Sequence, residues 1–426
     1  MASEAAPSAS PVARCGLKVA FRTLGCKVNQ VEAETVAATL RGGGAELVPE
    51  EDADVVVVTT CSVTSEADHK ARKAVRHALG LPRGPLVVVT GCLAALDAAS
   101  LTSLGERVVV EADKSAVAAR VREVAGVPPC DESRITATRV GEGFHTRAMV
   151  KVEDGCDNYC AYCIVPYARG VPRAVPLRSA VSEVEALVAA GVREVVLTGI
   201  NIGRYADAGA GLPELITAVA ATGITRIRLS SIEPEHVDEA LLRVMASTPS
   251  VCEHLHVPLQ SGSDRTLRAM GRHYDTAAYE ALLARARAAV PGLAVSTDVI
   301  VGFPGETEQD HAATIAFMER AGFSKVHVFR YSRRTGTPAA RRADQLDPRT
   351  IAARAAAVRE CGDRMRRAHL ASQVGRRLEV LVERPGEGTA RDGSRVRFPV
   401  GLGHPGDLVT VTADAVDEHG FALVAW

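Results

Sequence analysis

The stretch AMVKVEDGCDNYCAYCIVPYARG, residues 148–170, joins a predicted β-strand to a loop that carries three cysteines. Cys156, Cys160 and Cys163, called the loop trio below, have the spacing C-x3-C-x2-C. A structural zinc site normally takes four protein ligands, usually from two C-x2-C pairs, and only one pair here has that spacing. An iron–sulfur cluster is the other option, because three thiolates on a four-iron cube leave one iron open. A zinc knuckle and chance thiols remain the alternatives.

Composition bounds the class of protein. The chain has 426 residues, of which 47% are hydrophobic and 24% charged, so we expect two or three folded domains. A net charge of −1 excludes a global basic signature of nucleic-acid binding, so any such signature must be local. No apolar run reaches the roughly 18 residues that a membrane span needs. Ten cysteines and no secretion signal favour metal or redox chemistry in a reducing cytoplasm.

The fold class predicted from the strand and helix pattern is α/β. Residues 17–125 alternate strands such as ADVVVVTTC and PLVVVTGC with helical stretches, which indicates an N-terminal α/β domain with a parallel sheet. Residues 1–16 are predicted to be a disordered tail, with a transit peptide as the alternative. Residues 126–145 lack periodicity and are predicted to be a linker.

A longer series of strands and helices occupies residues 146–370. Its six candidate strands are AMVKVEDG, REVVLTGI, RIRLSSI, HLHVPLQS, LAVSTDVIVGF and KVHVFRYS. Six parallel units fit an open, partial (βα)6 TIM-type barrel with a trailing helix, whose active site lies at the carboxyl ends of the strands. Short strands separated by Gly, Pro and Asp turns then predict a small antiparallel β-barrel over residues 371–426.

A second set of cysteines is distributed over three predicted strands. Cys26, Cys61 and Cys92, called the strand-end trio below, close the segments TLGC, TTC and TGC. Because parallel strands have their carboxyl ends on one edge of a sheet, these thiols are expected to share a site. The alternative is that each is a small buried hydrophobe. The remaining cysteines, interpreted as free thiols, are Cys15, Cys130, Cys252 and Cys361.

The loop trio after the first barrel strand resembles the radical S-adenosylmethionine (SAM) superfamily, and residues 17–125 resemble the N-terminal domain of its methylthiotransferases. The resemblance implies two 4Fe-4S clusters and SAM as cofactors. The loop trio would hold the cluster that binds SAM and cleaves it reductively to methionine and a 5′-deoxyadenosyl radical. The strand-end trio would hold the cluster that carries the sulfur to be inserted.

Further stretches resemble the barrel of this family, including VLTGINIG, RLSSIEP, HLHVPLQSGSDRTLRAMGRHY and STDVIVGFPGETEQD. Gly199 would let the backbone approach SAM closely. Polar groups that could bond the ribose or the ammonium group of SAM are at Glu233, Gln260 and Asp298, although structural roles are equally open. Tyr162 is the aromatic that accompanies the cysteine motif. The segment with Arg265, Arg268, Arg272 and His273 could meet a polyanion or be a solvated helix face.

A local positive charge indicates where RNA would bind. Residues 325–377 contain 14 Lys and Arg against 4 Asp and Glu. Arginine suits bidentate phosphate binding, so this stretch is predicted to be the phosphate-contacting belt. Its assigned residues are Arg330, Arg333, Arg334, Arg366, Arg367 and Arg376. The C-terminal β-domain resembles the RNA-binding TRAM module, although Phe398, Phe421 and Trp426 are its only aromatics.

The stretches TLGCKVNQVEAE, TTCSVTSEADHKARKAVR and VFRYSRRTGTPAA resemble the methylthiotransferase branch that acts on N6-threonylcarbamoyladenosine in tRNA (MtaB-type). This resemblance implies insertion of a methylthio group at C2 of that nucleoside next to the anticodon. The expected partners of a monomeric cytoplasmic enzyme are tRNA and a reductant such as flavodoxin or ferredoxin. Three alternatives stay open. They are a sibling enzyme for isopentenyladenosine or a ribosomal protein, a metal-bearing RNA-binding protein without catalysis, and a radical-SAM enzyme whose first domain holds no cluster.

Overall fold

A computed structural model describes residues 16–128, 146–420 and 422–425 of the chain. The chain divides into two compact units, residues 1–138 and 139–426. The described residues leave out residues 1–15 of the predicted tail and most of the predicted linker, and with them Cys15, Cys130, Phe421 and Trp426. Among the residues that are described, no helix is long and apolar enough to cross a membrane.

The first unit is built on a parallel five-stranded sheet with the strand order β2-β1-β3-β4-β5. Its elements in chain order are β1 (Lys18–Thr23), α1 (Lys27–Gly42), β2 (Glu46–Leu47), β3 (Val55–Thr60), α2 (Ser65–Leu79), β4 (Leu86–Gly91), α3 (Cys92–Leu96), α4 (Ala98–Thr102), β5 (Val108–Val110) and α5 (Val117–Val124).

Burial of both faces explains why β3 is a run of β-branched residues. Successive side chains of a strand point to opposite faces, and parallel sheets are covered by helices on both. Val56 and Val58 pack with α2, whereas Val55 and Val57 pack with α1 and α5. All six residues of β3 are buried. The α/β class predicted from the sequence is therefore confirmed for this unit.

The second unit contains a partial barrel followed by a small closed barrel. Its elements up to the trailing helix are β6 (Ala148–Lys151), β7 (Glu153–Asp154), α6 (Val165–Arg169), β8 (Arg173–Ala174), α7 (Leu177–Ala189), β9 (Glu194–Thr198), α8 (Leu212–Ala220), β10 (Arg226–Leu229), α9 (Glu239–Ser247), β11 (His254–His256), α10 (Asp264–Met270), α11 (Thr276–Ala289), β12 (Ala294–Val301), α12 (Glu308–Ala321), β13 (Lys325–Arg330) and α13 (Pro348–Ala371). The closed barrel comprises β14 (Arg377–Arg384), β15 (Glu387–Ala390), β16 (Arg395–Arg397), β17 (Leu408–Val416) and β18 (Leu423–Ala425).

The six strands predicted for the partial barrel are all present and parallel. They form two three-stranded parts, β6-β9-β10 and β11-β12-β13. Parallel bridges from Ile227 to Val251 and from Ser231 to His256 connect the two parts between β10 and β11. The predicted open (βα)6 barrel is therefore confirmed.

The closed barrel has the strand order β14-β15-β16-β18-β17 and matches the predicted antiparallel β-domain, although β16 and β18 pair in parallel. The sequence pattern did not predict β15, because its segment EGTA lies among turn residues. A Cβ atom at Gly388 would lie 2.2 Å from the Leu381 carbonyl oxygen, so glycine permits this close approach to β14. A glycine that serves strand pairing is easily mistaken for a turn glycine.

Buried ion pairs and hydrogen bonds connect the closed barrel to the amino ends of β9 and β10. Glu194 is fully buried and pairs with Arg226 at 2.8 Å and Arg228 at 2.9 Å. The same two arginines donate to carbonyl oxygens of Thr389 and Ala390 in β15. The closed barrel thus lies at the end of the partial barrel opposite the carboxyl ends of its strands.

Candidate active site

The structure brings the strand-end trio to one edge of the first sheet. β1, β3 and β4 are neighbours, and Cys26, Cys61 and Cys92 directly follow or nearly follow their carboxyl ends. Burial raises the pKa of the Cys61 thiol, and the nearby thiols of Cys92 and Cys26 raise it further. Cys61 thus lies within electrostatic reach of both other thiols, which fits a site for three thiolate ligands.

Local contacts connect the loops that carry these cysteines. The Asn29 side chain is buried and donates to the carbonyl oxygens of Leu24 and Thr60, at 2.7 and 3.0 Å. A Cβ atom at Gly25 would lie 2.7 Å from Cys61 Cβ, so only glycine allows this approach. The protein's own contacts therefore hold the loop that carries Cys26 against the loop that carries Cys61.

The loop trio lies at the carboxyl end of the first barrel strand. Cys156 and Cys160 are buried, and Cys163 is partly buried. Burial raises the pKa of Cys156 to about 11 and that of Cys163 to about 12, with Cys160 among the further causes. Burial therefore disfavours the thiolate forms of Cys156 and Cys163. Cluster binding requires thiolates, so a bound cluster would have to supply the positive charge that stabilises them.

Arg272 is a cationic neighbour of the loop trio. Its Nη1 donates to Cys160 Sγ at 3.2 Å, and its guanidinium is ion-paired with Glu233. It also lies over the Tyr274 ring, 4.9 Å from the centroid. The sequence pattern predicted that Arg272 faces a polyanion or solvent. That prediction is wrong for this residue, because its side chain is buried beside the cysteines.

Glu153 is a buried carboxyl group that sequence reasoning missed. Its Oε2 accepts hydrogen bonds from the backbone N–H groups of Ile200 and Asn201, at 2.9 and 2.8 Å. Burial raises its pKa to about 7. A Cβ atom at Gly199 would lie 2.7 Å from this oxygen, so the glycine makes room for Glu153. The only signal in the sequence was a carboxylate three residues before Cys156.

Several buried polar atoms beyond the carboxyl ends of the barrel strands, called the catalytic end below, have no hydrogen-bond partner among the described residues. Buried polar groups are normally paired, so these six atoms are candidates for contacts with a polar ligand. The atoms concerned are Glu153 Oε1, Asn158 Oδ1, both amide atoms of Asn201, Ser230 Oγ and His236 Nε2.

The other predicted SAM contacts occupy different surroundings. Gln260 is buried and has φ +62°, a left-handed conformation that is uncommon for a residue with a side chain. Its backbone N–H donates to the Asp298 carbonyl oxygen at 2.8 Å, so β12 holds it in place. The Asp298 carboxylate itself lies 3.2 Å from His256 Nε2. Tyr162 packs against an apolar cluster that includes Met270 and Phe303.

The predicted arginine belt is divided between two ends of the barrel. Two contacts show that helix α13 runs antiparallel to β13. Arg354, in the first third of the helix, binds Glu306 beyond the carboxyl end of β12. Gly362, later in the helix, packs on Val326 near the amino end of β13. Arg330 and Arg333 are exposed at the catalytic end, whereas Arg366, Arg367 and Arg376 follow at the opposite end. Arg334 is buried, so the structure does not support it as a surface phosphate contact.

Comparison with known proteins identifies the class of the second unit. Residues 150–318 match the family described as the radical SAM superfamily, and residues 18–111 match the uncharacterized protein family UPF0004. The solved structure of TsrM, a radical SAM methyltransferase from Kitasatospora setae, is 15% identical, with a TM-score of 0.58, covering 76% of this chain and 77% of that one. OxsB, a cobalamin-dependent radical SAM enzyme, is 10% identical with a TM-score of 0.52, covering 73% and 52%. These structures share the radical-SAM fold.

Relatives with higher identity define the family. Threonylcarbamoyladenosine tRNA methylthiotransferase MtaB of Bacillus subtilis is 36% identical over 86% of this chain and 84% of its own. The MtaB of Chlamydia pneumoniae is 37% identical over 93% and 95%. The tRNA-2-methylthio-N(6)-dimethylallyladenosine synthase of Frankia alni is 35% identical over 95% and 88%. The chain belongs to the radical-SAM methylthiotransferase family, whose cofactors are SAM and two 4Fe-4S clusters.

Proposed function

We propose that this protein inserts a methylthio group at C2 of N6-threonylcarbamoyladenosine next to the anticodon of tRNA. The observation that carries the proposal is the presence of two cysteine trios, each at the carboxyl end of parallel strands, in a methylthiotransferase chain. A C2–H bond of adenine is not acidic, so acid–base chemistry does not suffice and a radical reaction is required.

The loop trio would hold the cluster that, when bound and reduced, cleaves SAM and supplies the radical. Arg272 would stabilise the negative charge of the Cys160 thiolate through its hydrogen bond to Sγ. The unpartnered atoms of Glu153, Asn201 and Ser230 are suited to bind the polar groups of SAM. Burial of Cys156 and Cys160 would shield the thiolate ligands of the cluster from water.

The strand-end trio would hold the second cluster and with it the sulfur to be transferred. Cys26 is exposed, whereas Cys61 and Cys92 are buried. The Cys26 side of the site is therefore exposed, and this side would give the sulfur source and the substrate access.

The choice of nucleoside rests on local resemblance, because relatives named for the threonylcarbamoyl and dimethylallyl nucleosides have similar identities, 36–37% and 35–36%. The stretches around Cys26 and Cys61, and the stretch VFRYSRRTGTPAA over residues 328–340, favour the threonylcarbamoyl substrate. The dimethylallyl nucleoside is the second candidate.

The partners follow from the reaction. tRNA would meet the exposed Arg330 and Arg333 at the catalytic end, with the C-terminal β-barrel as a second contact. A reductant such as flavodoxin or ferredoxin would supply electrons, and the site of action would be the cytoplasm, with the enzyme as a monomer.

Mass spectrometry of tRNA nucleosides tests the proposal. A strain that lacks the gene is expected to lose 2-methylthio-N6-threonylcarbamoyladenosine and to accumulate the unthiolated nucleoside. The wild-type gene should restore the product and the Cys163→Ala variant should not. Loss of the dimethylallyl product instead would move the assignment to the sibling branch, and an unchanged nucleoside profile in a strain without a redundant enzyme would contradict both.

A further inference from the structure

Three side chains from neighbouring barrel strands converge outside both cysteine trios. His256, Asp298 and His327 belong to β11, β12 and β13, and each offers a ligand atom within 4.8 Å of the other two. His256 Nε2 and an Asp298 carboxylate oxygen are 3.2 Å apart. The rings of His256 and His327 are edge-on, with centroids 5.7 Å apart.

Strand register places these residues on the concave face of the barrel. Asp298 and His327 are paired across β12 and β13, and His256 is paired with Ser296. Val295 and Val299 pack in the apolar core shared with the helices, so Ser296 and Asp298 point the opposite way. Val326 and Val328 pack against that core too, which turns His327 toward the same interior face.

A neighbouring hydroxyl group orients His256. Its Nδ1 is hydrogen-bonded to Ser296 Oγ at 2.9 Å, which leaves Nε2 directed at Asp298. Histidines that bind metals are characteristically held this way through their second ring nitrogen. Ser296 Oγ also lies 3.1 Å from His254 Nε2, so the same hydroxyl contacts both histidines of β11.

We propose that His256, Asp298 and His327 form a binding site for a divalent cation of the Zn²⁺ class. Two imidazole nitrogens and one carboxylate oxygen are a typical donor set for such ions. Donor atoms about 2.0–2.1 Å from a tetrahedral ion lie roughly 3.3 Å apart, which matches the separation of His256 Nε2 and Asp298. In this assignment Asp298 is a metal ligand rather than the SAM contact predicted from the sequence.

Three protein ligands leave a coordination position for a further oxygen ligand. The threonylcarbamoyl group carries a carboxylate, whereas the dimethylallyl group carries no oxygen. The cation would therefore bind the threonyl carboxylate and select this nucleoside. This step rests on the proposed function, whereas the cation site does not.

Zinc binding tests the site on the reconstituted holoenzyme. After equilibrium dialysis against Zn²⁺, the wild type is expected to retain about one zinc per chain beyond its iron content. His327→Ala should lose that zinc, and His327→Cys, which restores a ligand, should keep it. His419→Ala removes an exposed histidine and is the matched control. Equal zinc in His327→Ala and His419→Ala, at equal iron content, would overturn the site.

Substrate discrimination tests the ligand. Binding is compared on two anticodon stem-loops that differ only in carrying the threonylcarbamoyl or the dimethylallyl group. His327→Ala is expected to weaken binding of the first at least tenfold and to leave the second unchanged. Equal loss for both RNAs would overturn the carboxylate contact while the zinc result stands. A wild-type enzyme that binds zinc but methylthiolates only the dimethylallyl RNA would instead contradict the proposed function.

Discussion

Gly91 in the first unit is constrained by a close contact with the backbone of a neighbouring strand. Gly91, directly before Cys92, has φ +94°, and a Cβ atom there would lie 2.3 Å from the Thr60 carbonyl oxygen. Glycine at this position therefore serves both the backbone conformation and the packing of two cysteine-bearing loops.

Gly91→Ala is expected to lower the free energy of unfolding by more than about 2 kcal/mol. Its backbone, with φ +94° and ψ −163°, lies in a region that essentially only glycine adopts, at a cost of about 1–3 kcal/mol to other residues, and the backbone clash adds to it. Gly126→Ala is the control, since Gly126 has φ +67° and open space around it. Urea denaturation of both variants measures the difference. Equal destabilisation would show that the contact with Thr60 contributes nothing.

The carboxyl group of Glu153 predicts a pH dependence. Its pKa is raised from 4.5 to about 7, chiefly by burial, so the native state holds its proton more tightly than the unfolded chain. The associated stability is complete below about pH 4.5 and is lost as the pH rises through about 7.

Glu153→Gln should remove this loss. Between pH 5 and pH 8 the free energy of unfolding of the wild type is expected to fall by up to about 3 kcal/mol relative to the variant. Denaturation at several pH values, without SAM, measures the difference curve. A difference curve that stays flat over this range would contradict the raised pKa of Glu153. Other groups with shifted pKa values, such as His236, contribute equally to both proteins and so drop out of the difference.

At the scale of elements, buried charges decide how β9, β10 and the C-terminal barrel are joined. Burial alone would raise the pKa of Glu194, but the charges of Arg228 and Arg226 outweigh it and lower the pKa. The carboxylate is thus ionised between two guanidinium groups that also bind the backbone of β15.

Glu194→Gln is expected to cost about 3–5 kcal/mol of unfolding free energy, because it leaves buried guanidinium groups without their counter-charge. Glu319→Gln, which breaks an exposed pair with Arg364, should cost less than about 1 kcal/mol. Chemical denaturation compares them. Similar small losses in both variants would mean that water compensates the buried arginines.

At the scale of the whole molecule, the two units carry separate cysteine trios and therefore separable chemistry. Replacing Cys26, Cys61 and Cys92 with alanine should reduce iron from about eight to about four atoms per chain and leave SAM cleavage. Replacing the loop trio should remove the same amount of iron and abolish SAM cleavage. Iron analysis and assay of 5′-deoxyadenosine measure both. Full iron in the first variant would mean that the N-terminal unit holds no cluster.

Much of this architecture follows from the amino-acid sequence alone. Runs such as VVVVTT predict buried parallel strands, and cysteines at the ends of such strands predict a shared sheet edge. Both inferences depend only on residues that are close together in the sequence. The spacing of the loop trio is equally local. The order of the elements, the α/β class and both cysteine trios are therefore predictable from sequence patterns.

Tertiary structure determines which residues that are distant in sequence come into contact, because such contacts depend on chain direction and strand register. Only the fold places Arg272 at Cys160, which lies 112 positions earlier in the chain. The direction of α13 divides an arginine belt that is continuous in sequence, and the register of three strands brings His256, Asp298 and His327 together. Sequence patterns determine which face a side chain takes within its own element. Which distant side chain it meets is determined by the pairing and packing of elements, and no local pattern encodes that.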